Sequence, residues 1–233
     1  MMFSQQNINF LPPIYFRNEI LEWVREFRYL GLTLESKLSF RTHVNHIVNK
    51  AATCQGMLYT LSRYVSQKSL ISIYYTLMFP HLTYQIIIWG GICPTLKSKI
   101  MIAVNKILRA ILKVRFDMVG RPLMGTTVMY KRLSILKFED IYTLNILKFI
   151  HSIIYGQNQS LFEQVFVSLF PGHNYNTRVT DRLNVPKIRL EIERQSTDYN
   201  IVKIFNETPN QFLIPQTIRT LKINFKTFKL QEY

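Results

Sequence analysis

Cysteine is scarce in this chain, with Cys54 and Cys93 the only two among 233 residues. They lie far apart and outside any C-x-x-C spacing, so the sequence predicts neither a disulfide framework nor a zinc module. The first residues also lack the basic segment followed by an apolar run that defines a secretory signal. We therefore expect an intracellular protein, located in the cytoplasm or the nucleus.

Acidic residues are also few, and none occurs between Glu35 and Asp117. The whole chain has 29 Lys and Arg against 14 Asp and Glu, which gives a formal net charge of +15. Like charges without counterions repel one another, so this imbalance favours a polyanionic partner such as nucleic acid or an anionic membrane face. The acid-free stretch carries the basic residues Lys37, Arg41, Lys50, Arg63, Lys68, Lys97, Lys99, Lys106, Arg109, Lys113 and Arg115.

Catalytic constellations are missing from the sequence. Two-metal phosphoryl transfer needs carboxylates grouped around Mg²⁺, whereas no D-D or D-x-D pair occurs here, and the pair Glu191 and Glu193 is predicted to lie in a surface strand. His43 and His46 stand one helical turn apart without a nearby third metal ligand. Phosphate-loop, dinucleotide-binding and G-x-S-x-G motifs are absent. We expect no catalytic residue, metal, cofactor or small-molecule substrate.

Hydrophobic periodicity predicts a mainly α fold. The segment 14–34 is β-like and predicts two strands joined through residues 17–19. Beyond residue 36 the period changes to 3.6, and Ser66 is expected to cap a helix that Pro80 ends. We expect a short hairpin region at 1–36, a helical domain at 37–170 and an irregular tail at 171–233 that ends in a helix. The predicted helices are 44–65, 67–79, 95–114, 130–136, 141–154, 161–170 and 218–230.

One predicted helix carries a basic face. Over residues 95–114, the apolar side chains form one stripe, and four cations cluster on the opposite side at 100° per residue. A solvated face normally mixes charges of both signs. We therefore take these four residues, together with hairpin residues discussed below, as candidates for contacts with a phosphate backbone: Lys99, Lys106, Arg109 and Lys113.

The stretch from Ser69 to Leu96 contains no charged residue and is long enough to span a bilayer of roughly 30 Å. However, Pro80, His81 and Gln85 lie at its centre, where they would interrupt a spanning helix. We therefore expect a buried helix followed by a buried turn or strand, and keep a membrane protein only as an alternative.

Residues 27–40, with the sequence FRYLGLTLESKLSF, lead into His43 and Val44. This segment closely resembles the YLG segment of Jockey- and RTE-like reverse transcriptases of non-LTR (LINE-type) retrotransposons. The pattern is specific because it combines an aromatic-Leu-Gly turn with a defined helix entrance. Phe40 stands where Trp is commoner in the family.

The resemblance continues through residues 69–90 to Trp89 and Gly90, similar to a family stretch ending in L-x-Y-G-x-x-x-W-G, with Gln85 in place of its Gly. Residues 105–109 (NKILR) resemble the helix that follows in these enzymes. Residues 173–178 (HNYNTR) resemble an element of the C-terminal tail of these enzymes. Later in that tail, Phe205 and Thr208 stand where Trp and Leu are commoner in the family. Further matching tail positions are Pro186, Asn206, Pro209, Phe225 and Lys226.

The resemblance implies that this chain lies C-terminal to the catalytic palm, whose Y-x-D-D motif is not in the sequence. Residues 1–36 would be the end of the palm with a primer-grip-like hairpin, and 37–170 the helical thumb. Arg28 and Tyr29, with the turn at Gly31, would lie nearest the primer end. The expected partner is an RNA or DNA template-primer, bound mainly through phosphates.

Two further readings remain open at this point. The chain could be a free-standing basic helical protein that binds nucleic acid, or a membrane protein that uses residues 69–96. The sequence does not decide which helix would face a duplex. In each case the chain by itself is expected not to be an enzyme.

Overall fold

The computed structural model describes residues 13–114, 116, 119, 120, 122–155, 183 and 185–233. The predicted helix at 161–170 and the motif at 173–178 lie outside these residues. Within them the chain is mainly helical, preceded by short antiparallel strands and ending in a helix, which confirms the predicted fold class.

The first hairpin pairs β1 (Ile14–Phe16) with β2 (Glu19–Leu21) in antiparallel register. Its two-residue turn consists of Arg17 and Asn18, with φ of 49° and 64°. Positive φ at both turn residues is the geometry that matches the twist of the flanking strands. This hairpin is the predicted pair of strands.

A second hairpin pairs β3 (Glu26–Tyr29) with β4 (Leu32–Glu35). The turn at Gly31 was expected, but the separate pair of strands around it was not. Leu30 and Gly31 form its turn with φ of 46° and 84°. The sequence did not reveal two strands here because apolar residues occur on both sides of the turn and only Gly31 signals a reversal. The aromatic-Leu-Gly element of the sequence is therefore a hairpin turn.

Glu35 joins this second hairpin to α1 (Arg41–Leu61). Its carboxylate accepts hydrogen bonds from the Ser39 hydroxyl and from the backbone N–H of Thr42, in the first turn of the helix. Burial alone would raise the pKa of Glu35, but these hydrogen bonds and the nearby Arg41 leave it below its usual value. Phe40 offers no side-chain cap, so Glu35 takes over the capping of α1.

The second long apolar segment begins at α2 (Gln67–Leu77), where the Ser66 hydroxyl accepts the backbone N–H of Ser69, as predicted. The chain then forms two short helices, α3 (Phe79–Thr83) and α4 (Ile86–Trp89), rather than the predicted turn or strand. Pro80 lies in the first turn of α3, where its missing N–H is tolerated. None of the helices in the described residues is long and apolar enough to cross a membrane.

The basic helix is α5 (Pro94–Leu112), which packs along α1. It is followed by α6 (Thr126–Leu133) and α7 (Phe138–Ile154). Helices α5 and α7 are close to their predicted positions, whereas α6 begins and ends earlier than the predicted 130–136. Helix α7 is buried on several sides because it packs against α3, α4, α5 and the helices of the tail.

The tail ends in the predicted terminal helix, α10 (Ile218–Glu232). It also contains two helices that were not predicted, α8 (Glu191–Arg194) and α9 (Thr197–Glu207), and a 3₁₀ turn at Asn210–Phe212. The prediction of a surface strand at Glu191 and Glu193 is therefore wrong. The Glu193 carboxylate accepts the backbone N–H groups of Arg189 and Leu190, which stabilises a helical start instead.

Trp89 lies at the centre of the bundle. Its indole N–H donates to the Tyr84 carbonyl at 2.8 Å. The centre of its ring lies 5.2 Å from that of His43, which it meets edge-on, and 5.5 Å from that of Phe138. A Cβ on the adjacent Gly90 would stand 2.3 Å from the Tyr142 ring, so only glycine allows α7 to approach here. The core is continuous and extends from Leu32 in β4 to residues of α9 and α10.

Candidate nucleic-acid interface

Three of the four predicted α5 cations line one cleft. Lys106, Arg109 and Lys113 face α1 across an open depression of about 540 Å³, which we call the α1–α5 cleft. Lys99 is exposed on the same helix but does not line the cleft. The remaining described lining residues are Gln55, Tyr59, Ser62, Ala110, Val114 and Phe116.

Arg109 is more enclosed than its place on the helical wheel predicts. Its side chain is half-buried, and its Nε atom is buried without a hydrogen-bond partner among the described residues. It also lies close enough to Tyr130 to oppose the rise that burial causes in the pKa of that phenol. Arg109 is thus less exposed than Lys99, Lys106 and Lys113 on the same helix, which contacts both α1 and α6.

An aromatic wall completes the α1–α5 cleft. Tyr59 and Phe116 both line it with more than half of their surface exposed. The guanidinium of Arg63 lies 5.9 Å from the centre of the Tyr59 ring. Exposed aromatic rings beside cations suit bases and phosphates together. Neither Tyr59 nor Arg63 was among the residues predicted to contact phosphate, although both lie in the acid-free stretch.

The charge of the cleft is uncompensated within the described residues. None of its described lining residues is acidic, and neither α1 nor α5 contains an Asp or Glu. Exposed cations without counter-charges create a positive local potential that attracts polyanions and raises their rate of association. Among the described residues, no ion pair has to break before the cleft holds phosphate groups.

The predicted residues of the second hairpin lie at a different place. Arg28 and Tyr29 are exposed on β3, and neither lines the α1–α5 cleft. The turn at Gly31 docks on Tyr84, since a Cβ on Gly31 would stand 3.2 Å from the Cε1 atom of that ring. The structure thus brings together Lys106, Arg109 and Lys113, but does not place the hairpin residues in the same cleft.

No metal or nucleophilic site emerges in the part of the chain that the structure describes. It holds no group of three His, Cys, Asp or Glu side chains able to bind a metal ion. His43 packs against Trp89, where burial, with His46 and Arg28 nearby, lowers its pKa to about 4. Burial raises the pKa of the Cys54 thiol, which disfavours the reactive thiolate.

Chemically, the α1–α5 cleft offers fixed cations and aromatic surface, and it lacks groups for bond cleavage among its described residues. Such an arrangement suits binding of an anionic polymer. No family model, no curated protein and no solved structure matches this chain.

Proposed function

We propose that this chain binds nucleic acid through the α1–α5 cleft. The observation that carries the proposal is the convergence of Lys106, Arg109 and Lys113 beside exposed Tyr59, with no acidic residue among the described lining. Phosphates supply the negative charge that these cations lack, and the aromatic ring offers a surface for an unpaired base. The place of action would be the cytoplasm or the nucleus.

We further propose that the chain is the thumb and tail portion of a non-LTR retrotransposon reverse transcriptase, without polymerase activity of its own. The support is the resemblance at residues 27–40, together with the local structure these residues adopt. Leu30 and Gly31 form a tight turn between Tyr29 and Leu32, and Glu35 caps the following helix. In this proposal the bound nucleic acid is an RNA or DNA template-primer.

The binding proposal is tested with a double substitution, Lys106→Gln and Lys113→Gln. Both side chains are exposed, so their replacement should leave the fold intact. We expect the affinity for a fluorescent RNA–DNA hybrid, measured by anisotropy, to fall by about tenfold or more. The matched control, Lys68→Gln with Lys187→Gln, removes the same charge from exposed sites outside the cleft and should change the affinity by less than about threefold.

Equal losses in the two double variants would overturn the proposal, because binding would then depend on net charge and not on the cleft. The origin of the chain has a separate test in the reading frame upstream of Met1. A Y-x-D-D codon run within about a hundred residues, on the scale of one domain, supports a reverse transcriptase portion. A transcript that begins at Met1 without such a run supports a free-standing nucleic-acid-binding protein.

A further inference from the structure

A second basic cleft lies on the bundle, where α10 returns to pack on α7. It has a volume of about 430 Å³ and contains three lysines, Lys148 from α7 and Lys222 and Lys226 from α10. We call it the lysine cleft. The rest of its described lining comes from α2, α3, α7 and the segment before α7, namely Tyr75, Phe79, Thr83, Leu136, Ile141, Leu144 and Asn145.

The three lysines repel one another without compensation. Lys222 and Lys226 stand four residues apart on one helix, a spacing at which like charges are unfavourable. Burial, and then the charge of Lys222, lowers the pKa values of Lys148 and Lys226. None of the described residues lining the cleft is acidic.

Lys229, on the same helix, has acidic partners, in contrast to these three lysines. Its ammonium lies 2.7 Å from Glu232 and 3.9 Å from Asp140. Lys148, Lys222 and Lys226 make no ion pair or hydrogen bond with any described residue. The half-buried ammonium groups of Lys148 and Lys226, beside exposed Lys222, favour an anion between them.

The other wall of the lysine cleft is apolar and aromatic. The rings of Tyr75 and Phe79 meet edge to face with their centres 5.2 Å apart, and both are partly exposed. Asn145 adds an amide, whose Nδ2 already donates to the Ile141 carbonyl at 2.7 Å. A fitting ligand therefore has an anionic end for the lysines and a flat or apolar body for the aromatic wall.

We propose that the lysine cleft binds one nucleotide of a single strand, with a phosphate between Lys148, Lys222 and Lys226 and the base against Tyr75 and Phe79. The volume lies within the range of pockets for ligands of this size. In a strand the three cations face the phosphate of this nucleotide and the adjacent phosphate, two negative charges in all. A fatty acid, the competing ligand, brings only the single charge of its carboxylate. That the anionic ligand is a nucleic acid rests on the proposed function, whereas the presence of three lysines in the cleft rests on the structure alone.

The test uses the full chain and an octathymidylate that carries one 5-iodouracil. Irradiation couples this base to an adjacent aromatic side chain, and mass spectrometry identifies the residue. We expect coupling at Tyr75 or Phe79. The double substitution Lys222→Gln and Lys226→Gln should reduce the yield at these positions by about tenfold. The control Lys68→Gln with Lys187→Gln should change it by less than about twofold.

Competition experiments distinguish a nucleotide phosphate from a fatty-acid carboxylate as the anion that the lysines bind. Thymidine 5′-monophosphate in excess should suppress coupling at Tyr75 and Phe79, and laurate should not. Suppression by laurate, an equal loss in both double variants, or coupling confined to Tyr59 and Phe116 would overturn the proposal. A thermal unfolding midpoint of the Lys222→Gln, Lys226→Gln variant at or above that of the unsubstituted chain shows that the loss does not reflect unfolding.

The two experiments distinguish failure of the α1–α5 cleft proposal from failure of the lysine cleft proposal. If Lys106→Gln with Lys113→Gln leaves hybrid binding unchanged while coupling at Tyr75 or Phe79 depends on Lys222 and Lys226, the α1–α5 proposal fails and the lysine cleft remains. If hybrid binding requires Lys106 and Lys113 but coupling never reaches Tyr75 or Phe79, the lysine cleft fails alone.

Discussion

The hydroxyl of Tyr84 donates a hydrogen bond of 2.7 Å to the backbone carbonyl of Leu30, which lies 54 positions earlier in the chain. The contact joins the turn of the second hairpin to the segment between α3 and α4. It also brings the Tyr84 ring close to Gly31. The orientation of the exposed residues Arg28 and Tyr29 relative to the bundle therefore depends partly on this tyrosine.

Substitution of Tyr84 by Phe should loosen the second hairpin while leaving the helices intact. Loss of a partly exposed hydrogen bond corresponds to about 1 kcal/mol. We expect amide exchange in β3 and β4 to quicken by about fivefold, with exchange in α5 unchanged. Tyr64→Phe is a suitable control, because Tyr64 is 80% exposed. Unaltered exchange in the Tyr84→Phe variant would show that the hydrogen bond does not hold the hairpin.

Substitution of Gln85 by Gly should stabilise the protein. Gln85 has a φ of 49°, a left-handed conformation that glycine adopts without strain, and its Oε1 atom is buried without a partner among the described residues. We expect the free energy of unfolding in urea to rise by about 0.5–1 kcal/mol.

The control for this substitution is Gln55→Gly, within helix α1. Glycine at this helical position lowers stability by about 1 kcal/mol, because it increases the freedom of the unfolded chain. Opposite signs for the two Gln-to-Gly changes support the conformational explanation. A loss of stability in both would show that contacts of the Gln85 side chain outweigh its backbone strain.

Protonation of His43 should destabilise the folded chain in acid. Its pKa in the fold is about 4, against an ordinary 6.5. Between these pH values the unfolded chain binds more protons, so stability falls as the pH is lowered through this window. The shift corresponds to about 3 kcal/mol at most. His43→Leu should reduce this acid sensitivity in urea titrations between pH 6.5 and 4.

His46→Leu provides the comparison for that measurement, because His46 lies three residues away on the same helix but is exposed. It should preserve most of the pH dependence of the unsubstituted chain, because burial is a larger cause of the lowered pKa of His43 than the charge of His46. The contribution of Glu35 and other carboxylates is common to all three proteins and cancels in the differences. A His43→Leu profile parallel to that of the original chain would contradict the assignment.

Tyr233→Phe should destabilise the contact between the end of α10 and the start of α7. The Tyr233 hydroxyl donates to the Asp140 carboxylate and accepts the backbone N–H of Lys137 at 2.9 Å. Its removal leaves two partly buried groups without this partner, a loss of about 1–3 kcal/mol in the free energy of unfolding. Tyr64→Phe again serves as the control, and a change below about 0.3 kcal/mol at Tyr233 would contradict the prediction.

Nucleic-acid binding should depend steeply on salt. If about five phosphates are neutralised on a single strand, the logarithm of the association constant falls against log salt with a slope of about −3.5. The Lys106→Gln, Lys113→Gln variant removes two of the cations, so its slope should be close to about −2.1. An unchanged slope would show that these lysines do not contact phosphate.

The long helices could be predicted because each buries a regular stripe. In α1 the side chains of Val44, Ile47, Ala51 and Cys54 repeat at helical spacing, and all are buried. Helix α9 escaped prediction because its buried residues, Ile201, Val202 and Ile204, form a short cluster among polar residues. The basic face of α5 could be predicted from the spacing of its cations. The partial burial of Arg109 could not, because it depends on the helices that pack beside α5.

The lysine cleft could not be predicted from local pattern. Lys148 lies more than seventy positions before Lys222, and only the packing of α10 on α7 brings them together. Asn206 illustrates the same limit, because its amide hydrogen-bonds both the N–H and the carbonyl of Leu183 at 2.9 Å. The sequence pattern around Asn206 does not identify the backbone groups that its side chain holds.

Because Trp89 is buried, its fluorescence reports on the interior of the bundle. The chain has only one other tryptophan, Trp23, which lies between the two hairpins and is partly exposed. The two indoles therefore sample different solvent environments, and a Trp23→Phe variant would leave emission from the bundle interior alone. A red shift of that emission would then register water reaching the place where α1, α4 and α7 meet.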